Sequence, residues 1–146
     1  MEINIKTLEV TAVTAVINVD ANITSPVQGE ISVKQVQLVT VIEMAGDLDR
    51  NTAPLVQEQV LLLAQPGNKI LMDMTKVPYM SSAGLRLLLS LYRQLSSNDG
   101  QLLLVGLAEE IKDTMSITGF LNFFQTSNTI DSGLEALNVK LQSFPT

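Results

Sequence analysis

The chain contains no cysteine and no histidine. Those two absences exclude thiol catalysis, disulfides, Cys/His zinc sites and any mechanism that rests on an imidazole base. Charge is also sparse: 16% of residues are charged, and 15 acids outweigh 9 bases. A nucleic-acid binder needs a basic stripe to displace counterions from phosphates, and the nine Lys and Arg residues nowhere cluster. Nucleic acid and anionic membrane surfaces are therefore excluded as expected partners. Long apolar runs are missing as well. Stretches such as Leu102–Val105 fall far short of the ~18 residues a membrane span requires. The opening Met1-Glu2-Ile3-Asn4-Ile5-Lys6 alternates apolar and polar, which reads as a strand and not as a signal peptide. A soluble, cytosolic protein is expected.

What is present is apolar. At 146 residues, 46% of them hydrophobic, the chain is long enough for one domain with a substantial core. Residues 1–45 are rich in Val, Ile and Thr. Their alternation predicts strands over Ile3–Leu8, Val10–Val19, Ile31–Leu38 and Val39–Ala45. The period then changes. Asn51 or Thr52 can cap a helix with Pro54 in its first turn, running to Ala64. Lys69–Met74 is nearly continuous in apolar character, the pattern of a strand buried on both faces. A helix over 83–96 carries the stripe Leu88, Leu91, Tyr92 and Leu95. A buried strand over Gln101–Leu107, a short helix from Glu109, a last strand near Phe123–Thr126 and a helix near 132–142 complete the order. The fold class is α/β, a mixed four- to five-stranded sheet with about four helices and an extra N-terminal β segment. Residues 1–30 read as that extension and residues 31–146 as the domain.

Three places can carry chemistry. Gly46-Asp47-Leu48-Asp49 lies where a strand gives way to a helix. Asp47 and Asp49 are either paired carboxylates for acid–base or metal work, or a turn in which Asp49 caps the helix. The second account is the simpler, because no third ligand or partner base accompanies them. Asp73 sits inside an apolar run, where a carboxylate needs hydrogen-bond donors from the following loop. Met80-Ser81-Ser82-Ala83-Gly84 follows a central strand and opens a helix, at the sheet edge where α/β folds place their sites. No Glu or Gln follows to close a capping box. The helix end can therefore accept a phosphoryl group, and Arg86, one turn on from Ser82, can pair with it. A serine hydrolase is disfavoured, since no histidine is available to activate the hydroxyl.

Residues about 31–146 resemble the STAS domain of bacterial anti-sigma factor antagonists. Two stretches carry the resemblance: Gly46-Asp47-Leu48-Asp49 with its continuation Arg50-Asn51-Thr52-Ala53, and Met80-Ser81-Ser82-Ala83-Gly84-Leu85. The order of elements between them agrees. The family's phosphoacceptor, two residues before the glycine, maps to Ser82. The family usually has Asp at the preceding position, where this chain has Ser81, so Ser81 stands as the alternative acceptor. The resemblance implies a binding switch with no catalytic residues, metal or cofactor. It places partner contacts at Tyr79, Met80, Ser81, Ala83, Gly84, Leu85, Arg86, Asp47 and Asp49. The implied partners are an anti-sigma factor that is also a serine kinase with a GHKL-type ATP site, and a metal-dependent Ser/Thr phosphatase. A homodimer stays open. The competing reading is a STAS-like scaffold or accessory subunit of a transport or signalling complex, with no phosphorylation switch. An enzyme built on Asp47, Asp49 and Asp73 ranks third.

Overall fold

The computed structural model describes residues 1–19 and 29–137, with side chains described at 1–9 and 38–137. Elements run β1 (Glu2–Val19), β2 (Gly29–Ala45), α1 (Ala53–Val60), β3 (Lys69–Lys76), α2 (Ser82–Ser97), β4 (Gln101–Val105), α3 (Glu109–Ile117), β5 (Gln125–Ser127) and α4 (Ile130–Ala136). The five strands form one sheet in chain order. β1 is antiparallel to β2, and every later pair is parallel. This is the mixed α/β sheet with four helices that the sequence predicts.

Several boundaries differ from expectation. Four short N-terminal strands were predicted, and the structure has two long ones joined in a hairpin register from Glu2↔Ala45 to Val19↔Gly29. No Pro or Gly interrupts either strand between its two predicted halves, so each residue finds a ladder partner and the strand simply continues. The expected boundary at residue 30 therefore falls at the first residues of β2. α1 is shorter than predicted and tightens into a 3-10 turn at Leu61–Leu63 before Pro66. β4 ends at Val105, where Gly106 turns at φ +69° and a Cβ would lie 2.1 Å from Thr75 Cγ2. Phe120–Phe123 forms a 3-10 turn, which moves β5 two residues later than expected. α4 begins at Ile130, earlier than expected, where Thr129 and Ser132 make a capping box. Leu141 and the predicted end of this helix lie outside the described residues.

The sheet separates two apolar layers. Alternation along β3 sends Ile70, Met72 and Met74 towards α1, α2 and α3, and Leu71 towards α4. β2 divides likewise: Ile42 and Met44 face the three-helix layer, while Val39 and Val41 face α4. Both faces of the central strands are thus covered, which accounts for their continuous apolar sequence. α2 buries Leu88, Leu91 and Leu95 completely or nearly so. Burying each such side chain contributes ~1.5–3 kcal/mol before entropy is charged against it. Asp73 is half-buried, and its Oδ1 accepts from the Thr75 N–H at 3.0 Å and the Thr75 hydroxyl at 2.7 Å. That carboxylate is occupied by its own loop.

Candidate functional site

Two loops, one after β2 and one after β3, meet at the C-terminal edge of the sheet. Leu48 joins them. Its N–H donates to the Tyr79 carbonyl at 2.9 Å, and its carbonyl accepts from the Ser81 N–H at 2.9 Å. The Leu48 side chain is fully buried, so this short parallel bridge between Leu48 and Met80 has an apolar anchor. Gly84 packs directly over it. A Cβ there would lie 2.7 Å from the Leu48 carbonyl oxygen and 2.7 Å from Met80 Cγ. The two sequence motifs are therefore one site, held together by backbone.

Within the acidic turn the two aspartates have different environments. Asp49 Oδ1 accepts from the N–H groups of Asn51 at 2.9 Å and Thr52 at 3.1 Å. The Asp49 N–H in turn donates to Thr52 Oγ1 at 2.9 Å, and that hydroxyl donates to the Asp47 carbonyl at 2.7 Å. Donation from the Thr52 and Asn51 backbone holds the Asp49 carboxyl below its ordinary range. Asp49 is a structural cap for the turn into α1. Asp47 is exposed. Among the described residues no group of three or more acids is placed to hold a metal ion.

The two serines also divide their roles. Ser81 is the N-cap of α2, extended at φ −84° and ψ 176°, and its Oγ accepts from the Gly84 N–H at a long 3.5 Å. Its carbonyl receives the Leu85 N–H at 3.0 Å. Ser82 is the first helical residue. It is exposed, and its hydroxyl makes no hydrogen bond among the described residues. The helix start carries no acidic residue in its first turn, so the positive end of the α2 dipole is uncompensated there.

Ser81 and Ser82 stand on the rim of a groove of about 370 Å³ between the serine loop and α3. Tyr79, Met80 and Leu85 form one wall, and Ile111, Met115 and Phe120 the other. Tyr79 is 54% exposed, an uncommon position for an aromatic ring without a partner. Glu110 is the one carboxylate in the lining. Arg86 and Arg50 both line a separate groove between α1 and α2, together with Ala53, Pro54 and Gln57.

The structure thus brings together Asp47, Asp49, Tyr79, Met80, Ser81, Ser82, Ala83, Gly84, Leu85 and Arg86 around one loop pair. Sequence reasoning missed the α3 wall and Arg50. Ile111 and Met115 are spaced as a helical core stripe, and nothing local reveals that the rim of that stripe faces the serine loop.

A mixed sheet with helices on both faces, and an acidic turn stitched to a serine loop at the head of α2, define a domain of the STAS class. Residues 30–133 match the STAS domain family, and the chain belongs to it. The anti-sigma-B factor antagonist of Bacillus subtilis is 27% identical over 105 residues, covering 72% of this chain and 96% of that protein. The protein of Bordetella bronchiseptica named as the anti-sigma factor antagonist BtrV is 31% identical over 94 residues, 62% of this chain and 81% of that one. A solved anti-sigma-factor antagonist (STAS) domain protein from Planctomyces limnophilus has the same fold, with a TM-score of 0.64 at 19% identity. That match covers 68% of this chain and 91% of the other. No helix among the described residues is long and apolar enough to cross a membrane.

Proposed function

We propose that this chain is an anti-sigma factor antagonist that acts by binding, with Ser82 as the residue whose phosphorylation ends the interaction. Its relatives carry that name, and one observation supports the mechanism above the others. Ser82 is the serine with a free, exposed hydroxyl at the helix start, whereas Ser81 is committed to the N-cap. The unphosphorylated loop presents Tyr79, Met80 and the apolar groove to an anti-sigma factor that is also a serine kinase. Phosphorylation adds ~−1.5 to −2 charges to the groove rim, beside Glu110 and on a chain of net charge −6. A contact desolvated in the complex then carries an unpaired dianion, and binding is lost without refolding the domain. A metal-dependent Ser/Thr phosphatase restores the binding form.

The test is a phosphorylation assay with a GHKL-type anti-sigma factor kinase and ATP, with the modified residue mapped by mass spectrometry. Ser82→Ala should bind the kinase and resist modification, and Ser82→Asp should lose most of its affinity. Phosphate that survives in Ser82→Ala but disappears in Ser81→Ala would move the acceptor by one residue. If neither variant matters, the loop is a helix cap and the scaffold reading replaces the switch.

A further inference from the structure

α2 spans 16 residues and carries no acid, although the chain holds 15 acids against 9 bases. Its two cations are Arg86 and Arg93, both exposed. They stand about two helical turns apart, on one stripe that also carries Ser90, and ~10 Å separates them along the axis. α1 packs against α2. Arg50, in the turn that leads into α1, joins Arg86 in lining a groove of about 340 Å³ between the two helices. Arg50 and Arg86 are far apart in sequence, so this basic pair exists only in the folded chain.

No acid neutralises these cations. No carboxylate lines the groove, whose uncharged polar members are Gln57 and Ser90. The ion pair among the described residues is Lys6 with Glu43, which involves none of the three arginines. Asp49, next to Arg50, has its carboxylate committed to the N–H groups of Asn51 and Thr52. Glu58, the one acid of α1, lies outside the lining. A guanidinium is weakly hydrated and offers a planar fork of donors that matches a carboxylate in two-point contact. Two of them from packed elements, with the buried Ala53 and Leu87 in the same lining, complement acids that flank a small apolar side chain.

We infer that this groove and the stripe beyond it dock an acidic segment of a partner protein, through carboxylates spaced one and two helical turns apart. Charge complementarity selects that occupant. A helix with acids at i, i+4 and i+7 repeats the ~10 Å separation of Arg86 and Arg93. A nucleic acid or an anionic bilayer presents charge continuously, and around so small a basic patch it meets a chain of net charge −6, which opposes both. The groove shares no lining residue with the one at Ser81 and Ser82, and the inference does not rest on phosphorylation there.

An NMR titration of the full, isotope-labelled chain with two blocked helical peptides of about fourteen residues tests it. One peptide carries Glu at i, i+4 and i+7 among Ala and Leu; the other carries Gln in the same places. The Glu peptide should shift the amides of Arg50 and of residues 83–93 with a dissociation constant of about 0.1–1 mM, weakening severalfold between ~50 and ~300 mM salt. Arg50→Gln and Arg86→Gln should each weaken binding about threefold, and the two together about tenfold. Both side chains are exposed, so neither change disturbs the fold. Lys112→Gln removes the same charge from an exposed position on α3 outside the groove, and should leave affinity within about 1.5-fold. Equal weakening by all three variants would overturn the inference, since net charge alone would then account for binding. Equal affinity for the Gln peptide would overturn it too, as would the absence of any shift at ~2 mM peptide. Inorganic phosphate shifting the same amides as tightly as the peptide would reduce the groove to a small-anion site. Tighter binding of a short single-stranded DNA would make it a nucleic-acid surface, and either result replaces the acidic segment as occupant.

Discussion

Replacing Gly84 with alanine sets two opposing effects against each other. Gly84 lies inside α2, where alanine is favoured over glycine by ~1 kcal/mol through helix propensity alone. The added methyl, however, would lie 2.7 Å from the Leu48 carbonyl oxygen, 2.7 Å from Met80 Cγ and 2.9 Å from Leu48 Cγ. Met80 can rotate away. The carbonyl cannot, because it already accepts the Ser81 N–H at 2.9 Å and Leu48 is fully buried. Overpacking of this kind costs ~1–3 kcal/mol, so the net effect should be a destabilisation of up to ~2 kcal/mol. In a domain of this size that lowers Tm by up to ~8 °C. Urea unfolding followed by circular dichroism measures it. Gly133→Ala is the control: its nearest neighbours are the methyl groups of Leu103 and Leu71 at 3.0 Å, which can yield, so the loss there should be smaller. Because the Leu48–Met80 bridge must open, Gly84→Ala should also weaken partner binding while Gly133→Ala does not. A Gly84→Ala protein more stable than wild type, by the ~1 kcal/mol that helix propensity alone supplies, would refute the view that close backbone approach is what demands glycine at this position.

Other perturbations separate the roles within the site. Ser81→Ala removes a long N-cap bond, so stability should fall only to the low end of the capping range, ~0.5 kcal/mol by thermal or urea melting. Asp49 has a depressed folded-state pKa, so its stabilising contribution is present above its ordinary value of 3.8 and is lost as pH falls through the lower folded value. Asp49→Asn cannot ionise. The stability difference between wild type and this variant should be constant near neutral pH and shrink in acid, as read from Tm measured across that range. Leu91→Ala, in the buried stripe of α2, should cost ~2–5 kcal/mol of unfolding free energy with little change in the urea m-value.

Much of this protein was legible before any fold was known. The apolar run Lys69–Met74 announced a strand covered on both sides, and the Leu88, Leu91, Leu95 spacing announced a buried helix face, because burial periodicity is a local property of sequence. The acidic and serine motifs marked the candidate site because turn and helix-start residues are local signals too. Other features were settled only by long-range contacts. Whether the N-terminal β residues made four strands or two depended on which partners completed each ladder, and no residue between the halves encodes that choice. The α3 wall of the groove arises because the sheet order sets α3 beside the serine loop, far away in sequence. The division of labour between Ser81 and Ser82 was likewise invisible in two identical side chains. It was decided by a one-residue step in backbone conformation, extended at Ser81 and helical from Ser82, which turns one hydroxyl onto the Gly84 N–H and leaves the other in solvent.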